Sequence, residues 1–203
     1  MEHRQEMRLT FGKDDDLVCI SHRNVASLFE RAMRRAGIPV AYSEGYNPRP
    51  RISFPSALET GIASDCEVAF VRLSERCEPG LLAERLTRNL PGEIAVKDVG
   101  EAGGPRSVKW ARYDIELPES GGPDQADLDR LLEDRSIERT RSGRTETVKL
   151  AKYVRKLERH DTRLVVEIAT DDRGSLRPSE VVEALALLPL CDTAVRRTHV
   201  ELG

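Results

Sequence analysis

The sequence predicts an α+β protein built from two ferredoxin-like (split βαβ) units side by side, with antiparallel sheets and helices on one face. Three observations predict it. Short runs that alternate apolar and polar residues interleave with runs of helical period. Each half then reads roughly strand–helix–strand–strand–helix–strand. A Gly/Pro-rich joint at 101–105 divides the 203 residues into two stretches of small-domain size. The expected domains are 1–104 and 105–203, with one compact domain as the alternative.

Residues 6–11 read as the first strand, followed by a Gly-Lys-Asp-Asp-Asp turn and a short run at 17–20. Ser21 is a good N-cap for a helix over 23–36, whose apolar residues fall at 25, 28, 29, 32, 33 and 36. Gly37 supplies its C-cap and Pro39 prevents continuation. The chain from 39 to 55 is loop-like and then extended. Residues 67–73 alternate as a strand, 79–89 form a helix with Leu81, Leu82 and Leu86 inward, and 94–99 form a strand after Pro91-Gly92. Beyond the joint come a strand at 109–117, a break at Gly121-Gly122-Pro123 and a helix at 125–133. A hairpin of 137–141 and 145–150 around Ser142-Gly143, a strand at 163–170, a helix at 178–188 and a strand at 194–202 complete the chain.

Hydrophobic residues make up 39% and charged residues 33%, which is polar but leaves enough periodic Leu, Val and Ile for a core. No apolar stretch approaches the ~20 residues of a spanning helix. The N-terminus lacks the pattern of a signal peptide, so the expected location is the cytoplasm, with no membrane partner. Cysteines at 19, 66, 77 and 191 form neither a CxxC knuckle nor a cluster-binding triad, and His3, His22, His160 and His199 fall into no ligand spacing. No metal or cofactor is expected, and the chain is not expected to be a radical enzyme itself.

The net charge of −3 conceals two basic islands. Residues 22–51 hold six arginines against two glutamates, and 139–163 hold nine Lys/Arg against three acids. Such islands fit an anionic partner, or simply solvated faces. In the first island Asn24, Ser27, Arg31 and Arg35 form a polar stripe on the helix, and His22 stands at its start. The loop Ser43-Glu44-Gly45-Tyr46-Asn47-Pro48-Arg49-Pro50-Arg51 is stiffened by its prolines, which limits the entropy lost when Arg49 and Arg51 meet a ligand. Tyr46 adds a stacking surface. Loop and helix start are expected to face one another. The alternative is structural: Arg31 or Arg35 pairing with Glu30, Glu44 or Glu67. The candidate binding residues are His22, Asn24, Arg31, Arg35, Ser43, Tyr46, Asn47, Arg49 and Arg51; His22 and Glu44 are the only weak catalytic candidates. Aromatics are 4% of the chain, and of these Phe54 and Trp110 are expected in the core.

The segments Ser21-His22, 28–39 (Leu-Phe-Glu-Arg-Ala-Met-Arg-Arg-Ala-Gly-Ile-Pro) and 42–50 (Tyr-Ser-Glu-Gly-Tyr-Asn-Pro-Arg-Pro) resemble the hallmark of the radical-SAM-linked bacterial domain of unknown function, in its standalone form. Leu176-Arg177-Pro178 is similar to a second feature of that family. Asn24 and Ser27 depart from it, where an acidic residue and an arginine are usual. The resemblance implies a separate radical SAM protein as partner. With the islands and the loop it points to a non-catalytic RNA-binding or substrate-presenting module in RNA modification or maturation, with tRNA or rRNA as its RNA. Two alternatives stand beside it: an enzyme acting on RNA or a phosphorylated small molecule with His22 as base, and a protein-interaction subunit.

Overall fold

A computed structural model describes residues 4–117, 122–141, 143–185 and 194–203. His3, Gly121, Ser142, Cys191 and the last residues of the helix expected at 178–188 lie outside these. The fold is mixed α+β, and the chain divides into two compact units, Met1–Ser107 and Val108–Gly203. Among the described residues no helix is long and apolar enough to cross a membrane.

In the first unit, β1 (Gln5–Lys13) leads through a single 3-10 turn (Asp15–Cys19) to α1 (His22–Arg35). The short β2 (Ile52–Ser53), the long β3 (Ala63–Leu73), α2 (Pro79–Thr87) and β4 (Ile94–Glu101) follow. β1 lies between β4 and β3, and β2 pairs with the other edge of β3, so the strand order is β4-β1-β3-β2, antiparallel throughout. Leu9 stands opposite both Ala69 and Val99. Met7, Leu9 and Phe11 alternate onto one face of β1, where Val25, Phe29 and Met33 of α1 and Leu82 and Leu86 of α2 join them in one core. Complete burial of a side chain such as Phe29 or Leu82 contributes roughly 1.5–3 kcal/mol.

Ser21 caps α1 as its sequence position predicts, its hydroxyl accepting from the Asn24 amide at 3.3 Å. Gly37, at φ 61°, takes the left-handed conformation that ends the helix cheaply only with glycine. In α2 the expectation for Leu81 needs correction. Leu82 and Leu86, four apart, define the buried stripe, while Leu81 projects off it and is 41% exposed.

The second unit begins with β5 (Val108–Glu116) and α3 (Gln125–Asp134). A separate ribbon of β6 (Ser136–Arg141) and β7 (Arg144–Lys149) comes next. Then follow β8 (Val154–His160), β9 (Arg163–Asp171), β10 (Gly174–Ser175), α4 (Pro178–Ala184) and β11 (Val195–Leu202). β5 lies between β11 and β9, and β8 pairs with the far edge of β9, giving β11-β5-β9-β8, again antiparallel. β8 has no counterpart in the sequence reading. A register shift between Val154 and Lys156 breaks its alternation, leaving Val154 and Leu157 buried three apart rather than two.

Glu6, nearly buried on β1, receives the guanidinium of Arg106 on both carboxylate oxygens and Arg72 Nε at 3.1 Å. Burial alone would raise its pKa, but the hydrogen bonds and charges of the two arginines hold it below the ordinary carboxylate range. A lowered folded pKa gives stability that is present above the ordinary value and is lost as pH falls through the folded one. Urea titration should therefore find Glu6→Gln weaker than the parent by about 1–3 kcal/mol at pH 7, with the gap closing well below pH ~4. In the same assay Leu82→Ala should cost about 2–5 kcal/mol and Leu81→Ala less than about 0.5.

Candidate functional site

Leaving α1, the chain turns back along the C-terminal end of β3. The Ala41 amide donates to the Arg72 carbonyl at 2.8 Å, and the Arg72 amide donates to the Arg51 carbonyl at 3.0 Å. Between these anchors the two legs of the loop bond to each other. Tyr42 bridges Pro50, the Ser43 amide donates to the Arg49 carbonyl at 2.9 Å, and the Arg49 amide donates back to the Ser43 hydroxyl at 3.0 Å. Gly45, at φ 119°, makes the tip possible. Tyr46 is fully exposed there, beside exposed Asn47, Pro48 and Arg49. Arg51 is half-buried, and its Nε donates to the Tyr42 carbonyl at 3.4 Å.

The exposed face of α1 also carries positive charge. At 100° per residue, Arg23, Ser27, Arg31 and Arg34 fall within an arc of about 80°. The Ser27 hydroxyl is turned onto the Arg23 carbonyl at 3.1 Å. Arg23, Arg31, Arg34 and Arg49 are exposed, and among the described residues none of their side chains makes an ion pair or hydrogen bond. Arg23 and Arg34 were not among the expected site residues, although the same helical arithmetic places them there. Arg35 differs. Its guanidinium donates to the Asn89 carbonyl just beyond α2, which makes it a strut between helix ends. Asn24 is exposed in the first turn and Glu44 lies on the exposed loop.

His22 packs elsewhere. Its ring meets Phe54 edge-on at 5.0 Å, beside a cavity that Glu67 also lines. The loop springs from the Arg72 end of β3, roughly 17 Å further along the strand. No described contact joins His22 to Arg49, so the structure gathers Ser43, Tyr46, Asn47, Arg49 and Arg51 in one loop and sets His22 at another place. That place holds residues absent from the expected list: Lys13, Ser64 and Glu67, all buried. The signal for Lys13 was available, because it continues the Met7–Leu9–Phe11 alternation into the core.

The second basic island is largely absorbed by the fold. Arg139 is buried, donating to Glu146 at 2.7 Å, to the Ser175 carbonyl at 2.9 Å and to the Tyr153 hydroxyl at 3.3 Å. Burial opposes its charge, but the Tyr153 and Glu146 side chains keep its pKa above the ordinary value. Lys152 pairs with Asp171, Lys156 with Glu158 and Arg163 with Asp114. Arg159 donates to the Pro123 and Asp161 carbonyls. Arg155 lies 4.9 Å over Trp110, which is half-buried against His199 rather than in the core. Phe54 is also half-buried, against Phe11 and Phe29. Among the described residues no cluster of three or more His, Cys, Asp or Glu is placed to hold a metal ion.

These features define an α+β protein of two compact units whose first unit carries a stiff tyrosine–arginine loop and an arginine-bearing helix. Residues 6–178 match the family described as uncharacterized protein conserved in bacteria (DUF2344), and the chain belongs to that family. No curated protein matches it. Among solved structures it is similar to a chain of a Cbf5-Nop10-Gar1 complex, with a TM-score of 0.48 and 11% identity over 98% of this chain and 50% of that one. It is also similar to a chain of an H/ACA RNP bound to a substrate RNA containing 2'-deoxyuridine, with a TM-score of 0.43 and 9% identity over 96% and 47%. The chain thus spans about half the length of each.

The two kinds of arginine separate by experiment. Arg35→Ala should lower stability by about 0.5–1.5 kcal/mol through its lost hydrogen bond, whereas Arg31→Ala should stay within about 0.5, both by urea denaturation.

Proposed function

We propose that this protein is a non-catalytic RNA-binding module that presents substrate to a separate radical SAM enzyme in RNA modification or maturation. The observation that carries the RNA part is the contrast between the two basic islands. Among the described residues the cations of 139–163 are mostly spent on partners, while Arg23, Arg31 and Arg34 on α1 and Arg49 on the loop are exposed without one, and Tyr46 on the same loop is fully exposed. Guanidinium groups on a preorganised surface suit phosphates, and an exposed ring suits an unpaired base. Single-stranded segments of tRNA or rRNA offer both. The radical SAM partner rests on the resemblance of residues 21–50 to the radical-SAM-linked domain. The architecture in this reading is two ferredoxin-like domains, 1–104 and 105–203, supported by the matching orders β4-β1-β3-β2 and β11-β5-β9-β8.

A second reading, an enzyme using His22 as general base, draws on one observation. His22 shares its cavity with Lys13 and Glu67, which supply the titrating neighbours that sequence spacing did not.

Fluorescence anisotropy with a single-stranded RNA, over a range of salt, tests the first reading. Arg49→Ala and Arg31→Ala should each weaken binding and flatten the slope of log affinity against log salt by about 0.7. Tyr46→Ala should cost about 1–3 kcal/mol of binding with the slope unchanged. Variants that bind as the parent does would remove the RNA partner. Crosslinking in the native cell, with sequencing of the bound RNA and mass spectrometry of bound proteins, tests the radical SAM partner.

A further inference from the structure

The second unit's sheet gathers planar side chains around Trp110. Alternation along β5 buries Ala111, Tyr113 and Ile115 on one face and sets Trp110, Arg112 and Asp114 on the other. Two bulges then bring neighbours to the indole. On β11 the register shifts between Arg197 and His199, so Arg197 is buried opposite Tyr113 while His199 comes up opposite Arg112. On β8 it shifts between Val154 and Lys156, which makes Arg155 the extra residue. A bulge re-aims a side chain, and each of these turns one toward Trp110.

The His199 ring lies 4.8 Å from the indole, inclined at 31°. The guanidinium of Arg155 stands 4.9 Å over the indole and that of Arg112 5.8 Å. The strand order β11-β5-β9-β8 puts His199 and Arg155 on opposite sides of Trp110. Ala169, which faces Trp110 on β9, is small enough for Arg155 to reach across. These planes are open to solvent: 46% of the His199 side chain and 41% of the Arg112 side chain are exposed, and Arg155 is exposed as well. Imidazole, indole and guanidinium are the planes on which unpaired bases stack. Arg112 also pairs with Glu167, and His199 with Glu201. Among the described residues the Arg155 side chain has no acidic partner, which leaves its charge for a phosphate next to a stacked base.

We propose that the row His199–Trp110–Arg155 is a stacking platform for unpaired bases of a single-stranded RNA, with Arg155 holding the adjoining phosphate. The proposal rests on the RNA reading and adds to it a binding site in the second unit. The planes face solvent as they stand, so nothing has to open for a base to reach them. Arg155 is then the cation of the second island that the fold leaves for a ligand.

Trp110 is the chain's single tryptophan, so its emission reports on this place alone. The full chain is titrated with oligouridylate of about ten nucleotides, and the anisotropy of a labelled copy of the same oligomer reads binding independently. Emission should be quenched saturably, with the midpoint that anisotropy gives. Inorganic polyphosphate, an anion without bases, should leave emission unchanged. Trp110→Leu should weaken binding about tenfold (about 1.4 kcal/mol). His199→Ala should weaken it several-fold, and so should Arg155→Lys, which keeps the charge and loses the plane. If Trp110→Leu fails to fold, the two surface variants carry the test. Binding by anisotropy with emission unchanged, equal quenching by polyphosphate, or parental affinity in both Arg155→Lys and His199→Ala would overturn the platform and leave the RNA reading standing. No anisotropy change at all would overturn the RNA reading, and the platform with it.

Discussion

Strand β1 is paired along both edges and has helices packed on one face, and that double confinement governs the first unit. With β3 and β4 holding its backbone, β1 cannot slip by one residue without turning Met7, Leu9 and Phe11 out of the core. The same alternation continues to Lys13 and carries an ammonium inside, where Ser64 and Glu67 of β3 stand across from it. It also sets Glu6 on the other parity, where Arg72 and Arg106 collect on its carboxylate. One period of two thus places the apolar core, a buried charged group and an arginine clamp.

Where backbone geometry follows from local residues, the sequence was a good guide. Ser21, Gly37 and Pro39 bound α1 because capping, a left-handed residue and a missing amide are local effects. The strands of strong alternation, such as β1, β3 and β9, were legible for the same reason. β8 was not, since a bulge interrupts its period and four of its seven residues are Lys, Arg or His. Leu81 looked like core because leucine usually is, but only the position of Leu82 and Leu86 around the helix decides which residue faces inward.

The candidate site divides in the same manner. Stiffness of the 43–51 loop could be read from Pro48 and Pro50, and its arginines from the charge count. What could not be read was which cations remain available. Arg35 and Arg139 are consumed by carbonyl groups and side chains 54 and 7 or more residues distant, partners that only the fold brings near. Charge density in the sequence therefore overstates the second island and serves the first one well. Lys13 and Glu67 are 54 positions apart, and no spacing rule joins them; the strand register does.

The loop's closure has a consequence for how such a surface diversifies. Its legs are held by main-chain bonds at Ala41, Ser43, Arg49 and Arg51, and two side chains, the Ser43 hydroxyl and the Arg51 guanidinium, take part. Among the described residues, 46–48 contribute no hydrogen bond to that closure, while Gly45 supplies a backbone angle that few other residues accept. The tip is in effect an interchangeable cassette on a fixed stem, as the hypervariable loops of an antibody are on their sandwich. Related chains could acquire new ligand preferences by exchanging the three exposed side chains at 46–48, with the core below left untouched.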